Sequence, residues 1–392
     1  MSADDAKQRK SLMAWLKPAL RIALLLVLIV VMLSTETCHN TLFLHPSRTY
    51  DKMPAERGLK FEQVSFANSN GKKLCGWYFP APGAIGAVVL NHGNSGNMSL
   101  YLDYAEMLGK AGVSLLLYDY QGFGQSEKGT SLRGLVPDAL AAYDYLASRG
   151  QAPGGIAVMG VSLGTPVSCG VAAQRPEAKA LILEGAFLPT DELYHHMGTL
   201  GWPAAFVVSK TMPKMNPQMD VQCLAGRPLL MVHGSDDATT PITGAARLFE
   251  AASQPKWMWV MDNVGHFPDP TLRKGKGYQQ VLASFLRHVF LKDEFAQPYA
   301  VWSTEQSETG SWFTEAVVMD NGDDAGADPV SIVVTANDGQ TARKQVRLDS
   351  EEQRPGPQAG RRPPVVLETR KRPVSVSVFA EPQAAPPAGD TK

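Results

Sequence analysis

The chain has 392 residues, 44% of them hydrophobic and 19% charged, enough apolar material for one large domain with appendages or two ordinary ones. Disorder as the dominant state is thereby excluded, and 37 basic residues set against 38 acidic ones leave no net field to draw the chain to nucleic acid. Four cysteines, Cys38, Cys75, Cys169 and Cys223, are widely spaced and form no CxxC pair, so neither a disulfide framework nor a thiolate zinc site is indicated.

Residues 22–33 read IALLLVLIVVML, an unbroken apolar run that residues 12–20 prolong if Lys17 and Arg21 snorkel to lipid headgroups. Such a run has no polar face for water, so a membrane anchor or signal segment is expected over residues 1–37. Lys7, Arg9, Lys10, Lys17 and Arg21 precede or border the run, and the next basic residue is Arg48. That asymmetry predicts a cytoplasmic N-terminus, with the rest of the chain on the extracytoplasmic side. The run lacks a following A-x-A site, which favours an uncleaved anchor. Cys38 stands where a lipoprotein cysteine would, although Glu36 and Thr37 are not the small residues that such a cleavage site prefers.

Residues 62–67 and 72–79 read as two strands joined by an Asn-Ser-Asn-Gly turn. The apolar run 87–91 ends at His92-Gly93 and precedes a helical pattern over 98–110. A strand over 113–118, a helix over 137–147 and a strand over 156–159 continue the rhythm. Further strands are expected over 180–183, 228–232 and 256–261, and a last amphipathic helix over 279–291. Strands without polar alternation, separated by helices, predict an α/β fold with a mostly parallel sheet covered by helices on both faces. In such sheets reactive groups gather outside the carboxyl ends of the strands.

At one such end lies Gly160-Val161-Ser162-Leu163-Gly164, between the strand over 156–159 and a stretch suited to a helix. A strand, tight turn and helix in that order thrust the serine hydroxyl outward. Glycines at 160 and 164 are needed because side chains there would collide with the neighbouring strand and helix. A hydroxyl is a poor nucleophile at its free pKa, so the reading requires a base and a group that orients the base. Of eight histidines, His39 and His45 follow the apolar run, His195 and His196 fall in a Met- and aromatic-rich insertion, and His288 sits in the last helix. His92 and His233 precede glycines at strand ends, where an imidazole braces a loop. His266 differs, because Asp262-Asn263-Val264-Gly265 delivers it to the carboxyl edge of the sheet after the strand over 256–261, as a general base requires. The orienting carboxylate is expected after the strand over 228–232, where Asp236 and Asp237 both qualify.

His233-Gly234-Ser235-Asp236-Asp237-Ala238-Thr239-Thr240-Pro241 resembles the HGxxDxxxP loop of α/β-hydrolase-fold serine hydrolases, which implies Asp237 as the acid. The order Ser162, Asp237, His266 is also that family's. Asn91-His92-Gly93-Asn94-Ser95-Gly96-Asn97 is similar to its HG loop, and the resemblance implies an oxyanion hole made by the backbone N–H groups of Asn94 and Leu163. Asp119-Tyr120-Gln121-Gly122-Phe123-Gly124-Gln125-Ser126 resembles the family's DYxGxGxS turn and reads as architectural, with Asp119 satisfying backbone donors. The likeness spans residues 61–291. Asn94 and Gly96 resemble the branch with an HGNxGN loop, which includes membrane-associated hydrolases of lipid esters or acyl thioesters and serine aminopeptidase-like enzymes.

The expected organisation is therefore an anchor or signal over 1–37, a hydrolase domain over 38–295 with a short helical lid over 185–225, a small β appendage over 296–349 and a proline-rich disordered tail over 350–392. Strands in the appendage are expected over 317–319, 331–334 and 341–347. The lid's Met and aromatic residues suit a hydrophobic acyl substrate, either a small ester or thioester or an acylated protein. The expected activity is a serine hydrolase working through an acyl-enzyme at Ser162. A peptidase or amidase of the same fold and a catalytically silent binding module are the alternatives. No cofactor is expected, and no metal, since the histidines lack an HExxH or a carboxylate cluster.

Overall fold

The computed structural model describes residues 3–234, 237–261, 264–266, 276–293 and 295, and six strands beyond residue 300. An apolar helix, α1 (Ala3–Leu33), turns into the short α2 (Glu36–Phe43), which β1 (His45–Pro46) follows. β2 (Glu62–Ala67) and β3 (Lys73–Phe79) form a hairpin. Next come β4 (Gly86–Asn91), the two-residue β5 (Ser95–Gly96), α3 (Leu102–Lys110), β6 (Val113–Tyr118) and α4 (Leu135–Ser148). The alternation continues through β7 (Ile156–Val161), α5 (Gly164–Gln174), β8 (Leu181–Glu184), α6 (Pro189–Thr211) and α7 (Pro217–Asp220). It closes with β9 (Leu229–Gly234), α8 (Ile242–Ala251), β10 (Lys256–Met261) and α9 (Lys276–Leu291).

The strands lie in the order β2-β3-β6-β4-β7-β8-β9-β10, parallel from β6 to β10 and antiparallel at β3 and β2. The chain enters this parallel sheet at β4, crosses to β6 on one side, and returns past β4 to β7 before advancing to β10. That reversal opens a crevice between the loops after β4 and β7, the place where open α/β sheets receive ligands. The cause of the parallel arrangement is visible in the strands themselves. β4, β6, β7, β8 and β9 are buried at every position, as both faces of the sheet are covered.

Two cores flank the sheet. On one face Val89, Leu116, Val158, Leu183 and Met231 pack with Ala139, Tyr143 and Val167 of α4 and α5. On the other, Val88, Leu90, Leu117 and Ile182 pack with Tyr104 and Leu108 of α3 and Phe285 and Leu286 of α9. Each buried aliphatic of this kind contributes about 1.5–3 kcal/mol relative to exposure. One buried cation is put to structural use: Lys256 Nζ donates to the carbonyls of Phe249 and Ala252 at 2.7 and 2.8 Å, capping the C-terminus of α8.

Three regions depart from the sequence reading. The apolar part of α1 is Pro18–Leu33, about 24 Å long at 1.5 Å per residue against a hydrocarbon core of about 30 Å. Among the described residues no single helix is long and apolar enough to cross a membrane. Pro18–Leu33 and Glu36–Phe43 reach that length only as a pair bent by 63°. Within α6 the helix breaks at Gly198 (φ 59, ψ −172) and not at Pro203. Beyond residue 300, β11 (Val301–Gln306) pairs antiparallel with β10 and β12 (Trp312–Val317) antiparallel with β11, extending the sheet. β13 (Val330–Ala336) and β14 (Thr341–Val346) match two of the expected appendage strands. The strand expected over 317–319 is displaced to β12. β15 (Val365–Thr369) and β16 (Pro373–Ala380) lie where the prolines predicted a disordered tail. The alternation Val374-Ser-Val-Ser-Val-Phe379 has the period of a strand and outweighs the flanking prolines.

Candidate active site

Ser162 sits between β7 and α5 with φ at +52°, the left-handed region that side chains rarely adopt. Ideal Cβ atoms at Gly160 and Gly164 would fall 2.3 Å from the Gly164 carbonyl oxygen and 1.9 Å from that of Asn91. Both positions therefore admit only glycine, for the steric reason the motif implied. The Ser162 N–H donates to the Glu184 carbonyl at 2.8 Å, and the Thr165 N–H and hydroxyl both donate to the Ser162 carbonyl at 2.8 Å. With its backbone pinned on both sides, Ser162 presents Oγ to the crevice and is only 8% exposed.

Ser162, Asp237 and His266, the three residues that the family resemblance implies, lie together. Ser162 Oγ lies 2.9 Å from His266 Nε2, and His266 Nδ1 lies 2.8 Å from Asp237 Oδ2. An ionised carboxylate can only accept, so Nδ1 carries the imidazole proton and Nε2 is free to accept from the serine hydroxyl. Burial opposes ionisation of Asp237, but hydrogen bonds from the His266 imidazole and from the Thr240 N–H and hydroxyl outweigh it and hold the carboxyl below its usual range. Asp237 Oδ1 accepts the N–H groups of Thr239 and Thr240 at 2.9 and 2.7 Å, and Oδ2 accepts the Thr240 hydroxyl at 2.7 Å. Asp236 lies outside the described residues.

Thr240 was not singled out by the sequence. Its signal was an acid followed two and three residues later by threonines, the pattern of a side chain that caps its own turn. Gly234 also gains a reason. A Cβ there would lie 2.2 Å from the Val264 carbonyl oxygen, so the His266 loop crosses the end of β9 only because residue 234 is glycine.

The loop after β4 faces Ser162 from across the crevice. Gly93 N–H donates to the Tyr101 hydroxyl at 2.8 Å, and His92 Nδ1–H donates to the Gly93 carbonyl at 2.8 Å. Asn91 is fixed by Ser168 and Tyr118, at 2.7 and 2.6 Å. Burial drives the pKa of His92 down to about 4, so the ring is neutral and its role is bracing, as is that of His233, whose Nε2–H donates to the Thr240 carbonyl at 2.7 Å. Among the described residues, the backbone hydrogen bonds leave the N–H groups of Asn94 and Leu163 unused. Asp119 accepts from the Met98 N–H at 2.8 Å and from the Tyr50 hydroxyl at 2.9 Å, the architectural duty expected of it. Its burial raises its pKa to about 7, against the pull of those bonds.

Over the crevice, α6 packs Leu193, Ala205, Val208 and Met212 together with Leu33 and Phe43 from the N-terminal helices. His195 Nε2–H donates to the Ala238 carbonyl at 3.1 Å, clasping the lid to the loop that carries the acid. Burial, then His195 and His266, lower the pKa of His196. Trp202 and Phe206 are stacked and exposed on the outer side. Among the described residues no three His, Cys, Asp or Glu side chains gather in a way that would hold a metal.

A sheet in this strand order, carrying a serine on a strand-to-helix elbow at its reversal point, defines an α/β hydrolase. The comparisons with known proteins agree. Residues 83–226 match the family model described as serine aminopeptidase, S33. An uncharacterized protein of Mycobacterium tuberculosis is 34% identical over 237 residues, which cover 60% of this chain and 80% of that one. The lysophosphatidylserine lipase ABHD12 of Macaca fascicularis is 28% identical, over 48% of this chain and 51% of its own. The Pyrococcus furiosus esterase Pf2001 shares the fold with a TM-score of 0.52 at 16% identity, covering 63% of this chain and 97% of the esterase. The chain belongs to the α/β-hydrolase family.

Proposed function

We propose that this hydrolase is a membrane-anchored serine enzyme that cleaves a carboxylic ester or thioester of a hydrophobic acyl group. The observation that carries the reading is the unbroken relay from Ser162 Oγ through His266 to Asp237, at 2.9 and 2.8 Å, on an elbow whose serine is held at positive φ. In the forward step Oγ attacks the acyl carbonyl carbon as Nε2 of His266 takes its proton, and Asp237 stabilises the imidazolium that forms. The N–H groups of Leu163 and Asn94 receive the oxyanion. Losing such a donor costs on the order of 100-fold to 1,000-fold in kcat. Collapse expels the alcohol or thiol, which leaves with the proton from Nε2. Water then attacks the acyl-enzyme by the same route in reverse, releasing the acid and restoring Ser162.

The preference for a hydrophobic acyl group rests on the apolar cover. Methionine and aromatic side chains adapt to flexible chains, and the exposed Trp202–Phe206 pair lies on the same helix that packs against Leu33 of α1. Residues 22–32 of α1 expose their aliphatic side chains, which supports attachment to a bilayer through the N-terminal helices. The basic residues ahead of them favour a cytoplasmic N-terminus and a catalytic domain on the extracytoplasmic side. The relative whose name specifies a lysophospholipid lipase fits an ester of this class.

The test is covalent labelling by a fluorophosphonate, followed by turnover of acyl esters of graded chain length beside aminoacyl amides. The wild type reacts and Ser162→Ala does not, with kcat falling on the order of 10⁶-fold in the variant. Absence of labelling in the wild type leaves only a silent binding module, and turnover of amides alone establishes the peptidase instead.

A further inference from the structure

The chain that leaves the apolar helix does not stop at anchoring. Asn40 of α2 grips the domain with both side-chain atoms, Nδ2–H donating to the Thr130 carbonyl at 2.8 Å and Oδ1 accepting the Leu132 N–H at 2.9 Å. Ser131 adds a hydrogen bond to Glu36 at 2.6 Å. β1 then runs parallel to β5, His45 opposite Ser95 and Pro46 opposite Gly96. The His45 N–H donates to the Asn94 carbonyl at 2.8 Å, and the Ser47 N–H donates to the Gly96 carbonyl at 2.8 Å. Asn97 closes the contact from the other side, its Nδ2–H groups donating to the Thr49 and Ser47 carbonyls at 2.7 and 3.2 Å.

This pairing bears on Asn94 in a specific way. A residue's N–H belongs to the peptide plane before it and its carbonyl to the plane after it. The plane that holds the Asn94 N–H is oriented by His92 Nδ1–H on the Gly93 carbonyl, and the following plane by the His45 N–H on the Asn94 carbonyl. Both planes that flank the Asn94 Cα are thus held from outside the loop, one by a buried imidazole and one by the segment emerging from the N-terminal helices. Remove the second and the Asn94 Cα, the far end of the plane that carries the N–H, is held in place only by the short loop itself. A donor that must meet a developing charge loses much of its effect with a small displacement.

We infer that the segment after α2 is a positioning element of the catalytic site: the backbone N–H of His45, through the Asn94 carbonyl, fixes the Asn94 N–H toward the acyl oxyanion. The inference rests on the serine hydrolase reading above. It assigns to a segment next to the membrane-facing helices a direct hold on the chemistry, with no part played by the exposed His45 side chain.

The decisive comparison uses the full-length chain. His45→Pro removes the N–H, His45→Ala keeps it, and a backbone ester at position 45, introduced with an α-hydroxy acid, removes the N–H without altering the side chain. The expected result is a fall in kcat of about 10-fold to 100-fold in the proline and ester variants, with KM within about 2-fold of wild type and His45→Ala unchanged. The rate of fluorophosphonate labelling falls in parallel, and the pH profile stays in place because the Ser162–His266–Asp237 relay is untouched. If His45→Pro fails to fold, the ester variant decides. Wild-type kcat in the ester variant overturns the inference while leaving the triad intact. So does a loss in His45→Ala equal to the loss in His45→Pro, or a rise in KM at constant kcat. A wild type that never labels overturns the hydrolase reading and this inference with it.

Discussion

Ser162 reaches the site on a turn that glycines permit, whereas His266 reaches it on a loop that hydrogen bonds hold. Around the serine the main constraints are hard contacts and backbone bonds: Gly160 and Gly164 against their neighbours, the Ser162 N–H on Glu184, the buried strand β7 behind. Around the imidazole Gly234 gives the loop room to pass, but the ring itself is oriented by side-chain bonds to a carboxylate, and the His266 side chain is 23% exposed. Sterics fix position whatever the charge state, but they tolerate no substitution. Hydrogen bonds tolerate substitution and lose only orientation. The two sides should therefore fail differently, one in folding and one in turnover.

Gly164→Ala sharpens that contrast most. A methyl group 1.9 Å from the Asn91 carbonyl oxygen meets backbone, which cannot step aside, so the elbow and β4 are forced apart. A loss of stability above about 4 kcal/mol is expected, read as loss of soluble folded protein or of the thermal transition. A variant that melts normally would mean that the serine side is not set by sterics. On the other side, Asp237→Asn should fold and bind substrate, yet lose about 10⁴-fold in kcat, because an amide can hold the imidazole in the wrong tautomer. Unfolding of that variant, as opposed to slow turnover, would erase the distinction. The mildest change is Thr240→Val, which deletes a hydroxyl that donates to Asp237 Oδ2 and lies 3.1 Å from His266 Nδ1, but spares the direct bond between His266 and Asp237. Losing a hydrogen bond to a charged group costs about 1.5–3 kcal/mol of stability, so the melting temperature should fall by several degrees, while kcat falls about 10-fold as the carboxylate's hold on the imidazole loosens.

The steric side was legible in the sequence and the hydrogen-bonded side only partly so. Apolar runs at 180–183 and 228–232 announced buried parallel strands, and GVSLG between a strand and a helix announced the elbow, because each is a local pattern with a local cause. Between residues 62 and 261 strand ends fell within two residues of their expected places. Thr240 escaped notice because hydroxyls are common in turns, and nothing local distinguishes one that meets a carboxylate. The pairing of His45 with Ser95 was equally invisible, since two residues carry no periodicity and the partner lies far along the chain. Beyond residue 350 composition obscured pattern, and prolines drew attention from the alternating valines of β16.

The amide of Ser162 is spent on the carbonyl of Glu184, a residue of the adjoining strand and not of the lid. The reactive oxygen is thereby keyed to the sheet, the stiffest part of the molecule. A shift of α6 would leave Ser162 where it is, so the helix above the site and the elbow beneath it are mechanically decoupled.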